Sequence, residues 1–225
     1  MYHAILTTFN VREEPHALND LWMMNRVELL EKLTGQSIMA QEAGGFEWLI
    51  FVHPKTPKDI KDRIKGLPAQ PMLVYTSRYC ETLKKMGKTY WPNEPAVLLT
   101  RLDSDDALGR YYVKRILEAA TAFMAAQPRA KMVRFDFSHG YQLRVDASRL
   151  RECSVALSPC PTYLDYLPAD CPGQDYPTRR HEQIGTPDPL WIKAFHPGQT
   201  SSQQVYSDAS WDTPDLVNRF FGFTL

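Results

Sequence analysis

The densest acidic group in the chain is the run Asp103-Ser104-Asp105-Asp106, which directly follows an apolar stretch. Three carboxylates within four residues repel one another unless a cation lies between them, and hard divalent cations prefer carboxylate oxygens as ligands. Residues two apart on an extended segment point to the same side, so Asp103 and Asp105 can share one ion. The run therefore predicts a divalent metal site, with Asp106 capping a following helix or supporting a metal ligand.

Two other interpretations compete with a metal site at this acidic run. An EF-hand loop beginning at Asp103 fails, because its sixth position is Leu108 instead of glycine and its twelfth is Lys114 instead of glutamate. A solvated turn that only caps a helix starting near Ala107 stays open, because Asp and Ser are ordinary capping residues.

Apolar runs typical of buried strands alternate with amphipathic patterns along residues 1–150, which predicts an α/β fold with a mainly parallel sheet. Strands are predicted at 2–9, 46–52, 71–75 and 96–102. Helices are predicted at 18–33, at 56–65 with Thr56 as the cap, and at 111–126, and a hairpin is predicted from 132–137 and 141–145 around residues 138–140. Ligands of such sheets bind outside the carboxyl ends of the strands, where the acidic run lies.

Composition and charge describe an ordinary globular protein. Of 225 residues, 44% are hydrophobic and 23% charged, and 26 basic side chains balance 26 acidic ones, which argues against permanent residence on nucleic acid or anionic lipid. The first 150 residues contain 8 prolines and the last 75 contain 9. We expect a single domain over residues 1–225, with an α/β core at 1–150 and an irregular, proline-rich acceptor or lid region at 151–225.

Cysteine usage and hydropathy predict a cytoplasmic protein without a membrane span. The four cysteines show no C-x-x-C pairing, which is typical of free thiols in a reducing compartment. The longest apolar run near the start is three residues, far short of a signal peptide or membrane helix.

The segment Thr-Arg-Leu-Asp-Ser-Asp-Asp-Ala-Leu at residues 100–108 resembles the Asp-x-Asp segment of the putative rhamnosyltransferase family. Members of that family are similar to nucleotide-sugar glycosyltransferases with the GT-A fold. Residues 6–10, 46–50, 137–141 and 191–198 also resemble segments of the family, so the likeness spans most of residues 2–202.

The resemblance implies a donor site for a nucleotide sugar. Asp103, Asp105 and His196 would hold Mn²⁺ or Mg²⁺ against the donor diphosphate. The implied donor-binding residues are Thr7, Phe9, Asn10, Arg101 and Asp103. Two departures leave UDP, dTDP and GDP open as the nucleotide: Thr8 stands where the family suggests an arginine, and residues 52–54 carry no carboxylate.

An inverting transferase also needs a carboxylate base near the acceptor hydroxyl, whereas a retaining one does not. Glu182 is the first choice for that base and Asp188 the second, with Asp165 and Asp170 as rivals in the same loop-rich region.

Residues 55–88 form a basic segment with nine basic and three acidic side chains. Such a segment is usually a solvated face, but it also fits a polyanionic acceptor, either a charged glycan or nucleic acid such as a modified base in phage DNA. The hypothesis is therefore metal-dependent glycosyl transfer to a glycan or nucleic acid. The alternative is an inactive nucleotide- or sugar-binding protein on a transferase scaffold. The absence of glycine-rich phosphate loops, H-E-x-x-H and nucleophile-elbow motifs excludes hydride transfer, P-loop chemistry and serine hydrolysis.

Overall fold

A seven-stranded, mainly parallel sheet forms the centre of the computed structural model, which describes residues 1–11, 18–91, 96–128, 133–145, 149–165, 180–196 and 215–223. The strands are β1 (Tyr2–Thr8), β2 (Phe46–Val52), β3 (Met72–Tyr75), β4 (Val97–Arg101), β5 (Ala107–Leu108), β6 (Val133–Phe137), β7 (His139–Arg144), β8 (Arg149–Ser154), β9 (Thr162–Asp165), β10 (Arg180–Ile184) and β11 (Trp191–Phe195). The helices are α1 (Asp20–Leu29), α2 (Gly35–Met39), α3 (Lys58–Lys65), α4 (Tyr79–Tyr90), α5 (Tyr112–Ala126) and α6 (Asp215–Phe221), and a π-helical turn (Leu30–Thr34) joins α1 to α2.

The large sheet has the strand order β3-β2-β1-β4-β9-β6-β10. Strand β1 pairs in parallel with β2 and β4, while β9 runs antiparallel between β4 and β6. The predicted α/β fold with a mainly parallel sheet is therefore confirmed. The carboxyl ends of β1, β2 and β4 meet at one edge, which is where the acidic run begins.

Helices cover both faces of this sheet. One hydrophobic cluster contains Ile5, Ile50 and Leu98 together with residues of α1, α3 and α5. A second cluster on the other face contains Leu6 and Leu99 with residues of α4. The central strands are buried on both sides for this reason, which explains their continuous apolar sequences.

The predicted hairpin at residues 132–145 is wrong. Strand β6 belongs to the large sheet, whereas β7 belongs to a second, four-stranded sheet of order β5-β11-β7-β8. Only Ser138 separates β6 from β7, and one residue is too short to reverse the chain direction, so the chain passes on into the second sheet. Gly140, near the start of β7, lets this strand pack closely against Trp191 of β11, because a Cβ at Gly140 would lie 2.2 Å from the Trp191 ring.

The second half of the chain contributes more strands than its prolines suggest. β9 and β10 lie within the large sheet, and β8 and β11 lie in the second one. The pairing of β9 with β4 joins residues more than 60 positions apart, for example Leu99 and Tyr163. Such pairing has no local sequence signal.

Two local predictions also need correction. Thr56 does not cap α3, whose N-cap is Pro57 without a side-chain cap bond. The Thr56 hydroxyl instead bonds to the buried Asn10 side chain. Among the cysteines, Cys153 and Cys160 are free but Cys80 is disulfide-bonded, so the prediction of four free thiols is wrong for Cys80.

No helix in the described part of the chain is both long and apolar enough to cross a membrane.

Candidate functional site

The acidic run lies immediately beyond the carboxyl end of β4. The Asp106 backbone N–H donates to the Asp103 carbonyl at 3.1 Å, which closes a tight turn and brings the carboxylates together. The helix predicted to start near Ala107 is absent: Ala107 and Leu108 form β5 and pair with β11, and the next helix begins at Tyr112. Because no helix follows directly, a capping role for the acidic run is excluded.

Asp105 is almost fully buried and has two basic neighbours. Its Oδ2 accepts a hydrogen bond from the Arg26 guanidinium at 2.5 Å and lies 3.0 Å from His196 Nε2. Burial opposes ionisation of Asp105, but the His196 hydrogen bond and the Arg26 charge outweigh it and lower the pKa of Asp105 to about 2. Its second oxygen, Oδ1, is buried without a hydrogen-bond partner.

Lys193 lies between the other two carboxylates. Its Nζ is 3.0 Å from Asp106 Oδ2 and 3.4 Å from Asp103 Oδ2. The other Asp106 oxygen accepts the Ala194 backbone N–H at 3.0 Å, and Arg101 donates two hydrogen bonds to Asp103. Burial works against the Lys193 ammonium, but the three surrounding carboxylates raise its pKa. Lys193 therefore keeps its positive charge inside the acidic cluster.

Two distant elements supply these basic groups. Helix α1 buries Met23 and Val27, and Arg26 beside them also donates to the Ser104 hydroxyl at 2.7 Å. Strand β11 buries Ile192 and Ala194, so Lys193 points to the opposite side, toward the carboxylates.

The sequence prediction missed Arg26 and Lys193. A weak signal exists for Lys193, because the four other residues of β11 are buried. None exists for Arg26, because α1 buries only Met23 and Val27. Their partners, however, lie 79 and 87 residues away along the chain.

The acidic cluster has the composition and spacing of a candidate divalent metal site. One carboxylate oxygen from each of Asp103, Asp105 and Asp106 lies within 4.8 Å of the others. The unpartnered Asp105 Oδ1 would gain a partner from a bound cation, and Asp103 is partly exposed, whereas Asp106 is fully buried with both oxygens hydrogen-bonded. Asp103 and Asp105 are therefore the better candidate ligands. His196 lies against Asp105, and its role as a metal ligand stays a prediction.

The predicted donor residues of β1 lie at the expected edge but are buried. The Thr7 hydroxyl accepts the Trp48 indole N–H at 3.0 Å. Phe9 packs near the Trp22 ring, and Asn10 accepts the His53 backbone N–H at 2.9 Å. These contacts attach the end of β1 to β2 and α1. The three side chains therefore support the edge of the site through buried contacts rather than through exposed groups.

The structure does not bring Glu182 to the acidic cluster. Glu182 is on the edge strand β10, three strands from β4, which at about 4.8 Å per strand is roughly 14 Å. The register across β6, β9 and β4 places Glu182 on the same sheet face as Thr100 and so on the face opposite to Arg101. Asp188 is in the loop that leads into β11. The Asp165 side chain and Asp170 lie outside the described residues.

The basic segment is centred on α3 and the edge strand β3. Lys61 Nζ and Lys65 Nζ lie 5.5 Å and 5.9 Å from the centre of the exposed Tyr75 ring. Lys58 pairs with Asp62 on the same helix. The segment thus presents basic and aromatic groups side by side.

Comparison with known proteins identifies one matching family and several solved structures of low sequence identity. The profile of the family described as "Putative rhamnosyl transferase" matches residues 10–160. No curated protein matches the chain in sequence. Among solved structures, Staphylococcus aureus TarS residues 1–349 in complex with UDP is 13% identical, with a TM-score of 0.46, over 88% of this chain and 61% of that one.

Two further solved structures are similarly distant. HddC from Yersinia pseudotuberculosis is 10% identical, with a TM-score of 0.39, over 87% and 90% of the two chains. The "putative nucleotide-diphospho-sugar transferase" from Desulfovibrio desulfuricans G20 is 14% identical, with a TM-score of 0.33, over 68% and 64%. The chain spans 22% to 61% of the three TarS structures it matches.

Proposed function

This chain belongs to the putative rhamnosyl transferase family, and on that premise we propose that it transfers a sugar from a nucleotide-sugar donor to an acceptor hydroxyl. The observation that carries the proposal is the cluster at the end of β4, where the buried, unpartnered Asp105 oxygen lies beside Asp103, Lys193 and His196. Such a cluster suits a phosphate-bearing ligand together with a cation.

In this reaction the acceptor oxygen attacks the anomeric carbon, and the bond from that carbon to the diphosphate oxygen breaks. The nucleoside diphosphate leaves with the electron pair, and the acceptor proton passes to a base. Arg101 and Lys193, which both contact Asp103, would stabilise the negative charge that develops on the leaving diphosphate. Arg26 holds Asp105 in place rather than contacting the donor.

Asp103 and Asp105 would hold the divalent ion, Mn²⁺ or Mg²⁺, with His196 beside them. A bound ion of this kind supplies Lewis-acid stabilisation of the departing diphosphate. Carboxylate and imidazole groups are suitable ligands for such an ion.

Asp188 and Glu182 remain the proposed bases for an inverting reaction. Asp188 is the first to test, because its loop leads directly into the strand that carries Lys193. Asp188→Asn and Glu182→Gln are matched isosteric variants. Loss of transfer with donor binding retained in only one of them identifies the base.

The test is a thermal-shift screen of UDP, dTDP and GDP and their sugars, with and without Mn²⁺. A ligand at about 100 times its Kd stabilises the folded state by about 2.7 kcal/mol, which is readily measured. We expect a metal-dependent shift that is absent in Asp103→Asn and Asp105→Asn and retained in Asp59→Asn, an exposed acid on α3. No shift with any nucleotide would refute the donor site, whereas binding without turnover would favour the inactive binding protein.

A nucleic-acid acceptor is the second candidate, and the arrangement of Lys61 and Lys65 around the exposed Tyr75 ring favours it over an ordinary solvated face. Replacing Lys58, Lys61 and Lys65 with Gln should weaken binding of a single-stranded oligonucleotide and reduce its salt dependence. Unchanged affinity and salt dependence would leave a glycan as the acceptor.

A further inference from the structure

Lys193 holds an unusual position for a basic side chain, because its ammonium occupies the space between two carboxylates of the acidic cluster. The contact to Asp106 is 3.0 Å and the contact to Asp103 is longer, 3.4 Å. Its side chain is 13% exposed, and Asp106 is fully buried. A divalent ion that uses Asp103 must therefore compete with this ammonium.

The cluster already contains three basic groups beside its three carboxyl groups. Arg26, Arg101 and Lys193 lie against Asp105, Asp103 and Asp106, and burial raises the pKa of Asp106 to about 7. A divalent cation alone would add two positive charges to this cluster, and the diphosphate of a nucleotide sugar alone would add two negative ones. The two together leave the net charge of the cluster unchanged.

We propose that Lys193 couples the binding of the metal ion to the binding of the donor diphosphate. In the free protein its ammonium is the counter-ion of Asp103 and Asp106. When the diphosphate binds, the ammonium turns toward the phosphate oxygens and Asp103 becomes available to the ion. This inference rests on the proposed donor site and adds to it that each ligand strengthens the other.

The contacts permit such a movement of Lys193 at small cost. The lysine side chain is flexible, and the contact it would give up first, to the partly exposed Asp103, is the longer one. Asp103 keeps both hydrogen bonds from Arg101, and Asp106 keeps the Ala194 backbone N–H. Arg26, in contrast, is held by both Ser104 and Asp105 and stays in place.

Isothermal titration calorimetry tests the coupling without any turnover. The Kd of Mn²⁺ is measured with and without saturating nucleoside diphosphate, in wild type, Lys193→Gln and Lys193→Arg. In wild type we expect diphosphate to tighten Mn²⁺ binding by about 5- to 150-fold, the usual range for coupled sites. Lys193→Gln can still donate to Asp106 but carries no charge. It should bind Mn²⁺ alone more tightly than wild type and lose most of the coupling.

Lys193→Arg keeps the charge and should keep the coupling, and Lys32→Gln, on an exposed lysine, should behave as wild type. Equal Mn²⁺ affinity in wild type and a folded Lys193→Gln would overturn the inference, as would unchanged coupling in that variant. If no diphosphate binds wild type, the proposed donor site fails. The comparison of Mn²⁺ affinities without diphosphate still decides whether Lys193 competes with the ion.

Discussion

The buried ion pair between Arg26 and Asp105 allows a quantitative prediction about the stability of the site. In Arg26→Met the apolar part of the side chain is retained, but Asp105, 2% exposed, loses its guanidinium partner. Removing one partner of a buried pair costs about 3–5 kcal/mol, because the remaining charge is left uncompensated. The lowering of the Asp105 pKa from its usual 3.8 to about 2, which the His196 hydrogen bond and the charges of Arg26 and Lys193 produce together against the cost of burial, corresponds to about 2–3 kcal/mol at neutral pH.

The free energy of unfolding from urea titration at pH 7 checks this value. We expect Arg26→Met to lose about 3 kcal/mol, and Lys58→Met, the matched control in an exposed pair with Asp62, to unfold with nearly the wild-type free energy. The double variant Arg26→Met with Asp105→Asn should recover most of the loss, because the buried charge is then gone. A loss below about 1 kcal/mol in the single variant, or no recovery in the double one, would refute the electrostatic reasoning.

Two further predictions concern the core. Burial lowers the pKa of His3 from 6.5 to about 3. Below pH 6.5 the unfolded chain therefore binds a proton at His3 that the folded chain does not bind. The free energy of unfolding consequently falls as the pH is lowered from 6.5 toward 3. Between pH 7 and pH 5 wild type should lose about 2 kcal/mol more than His3→Asn in urea titrations, and equal losses would contradict a neutral buried His3. Gly140→Ala should lower stability by about 1–3 kcal/mol or more, because the added Cβ meets the Trp191 ring. Gly185→Ala, with open space around it, is the control in thermal melts, and equal melting temperatures would contradict the packing described here.

Most of the local structure could be predicted from the sequence, because it follows from local patterns. Strand β2 begins and ends where its apolar run does, at Phe46 and Val52. The predicted hairpin is wrong because residues 138–140 have the composition of a turn, whereas the strands on either side, β6 and β7, belong to different sheets. The place of β9 between β4 and β6 could not be predicted, because it depends on pairing between distant segments.

The site residues also divide into those with a local sequence signal and those that depend on contacts between distant segments. Asp103 and Asp105 are recognisable because their spacing is local and the strand before them is clear. Arg26 and Lys193 become site residues only through tertiary packing. The sequence around Arg26 is that of a solvated helix, and a lysine within an apolar strand such as β11 does not by itself indicate which groups it meets. The buried state of Thr7 and Asn10 likewise depends on partners more than 40 residues away.

The 87-residue separation between Asp106 and Lys193 also has a consequence for biosynthesis. At about 5–20 amino acids per second, the ribosome makes the acidic run roughly 4–17 s before it makes the lysine. During that interval the nascent chain carries three carboxylates without the counter-ion from β11, and the second sheet lacks the strand that joins β5 to β7. The lysine and the strand that joins β5 to β7 therefore arrive together with β11, so the proposed donor site cannot form until β11 has been made.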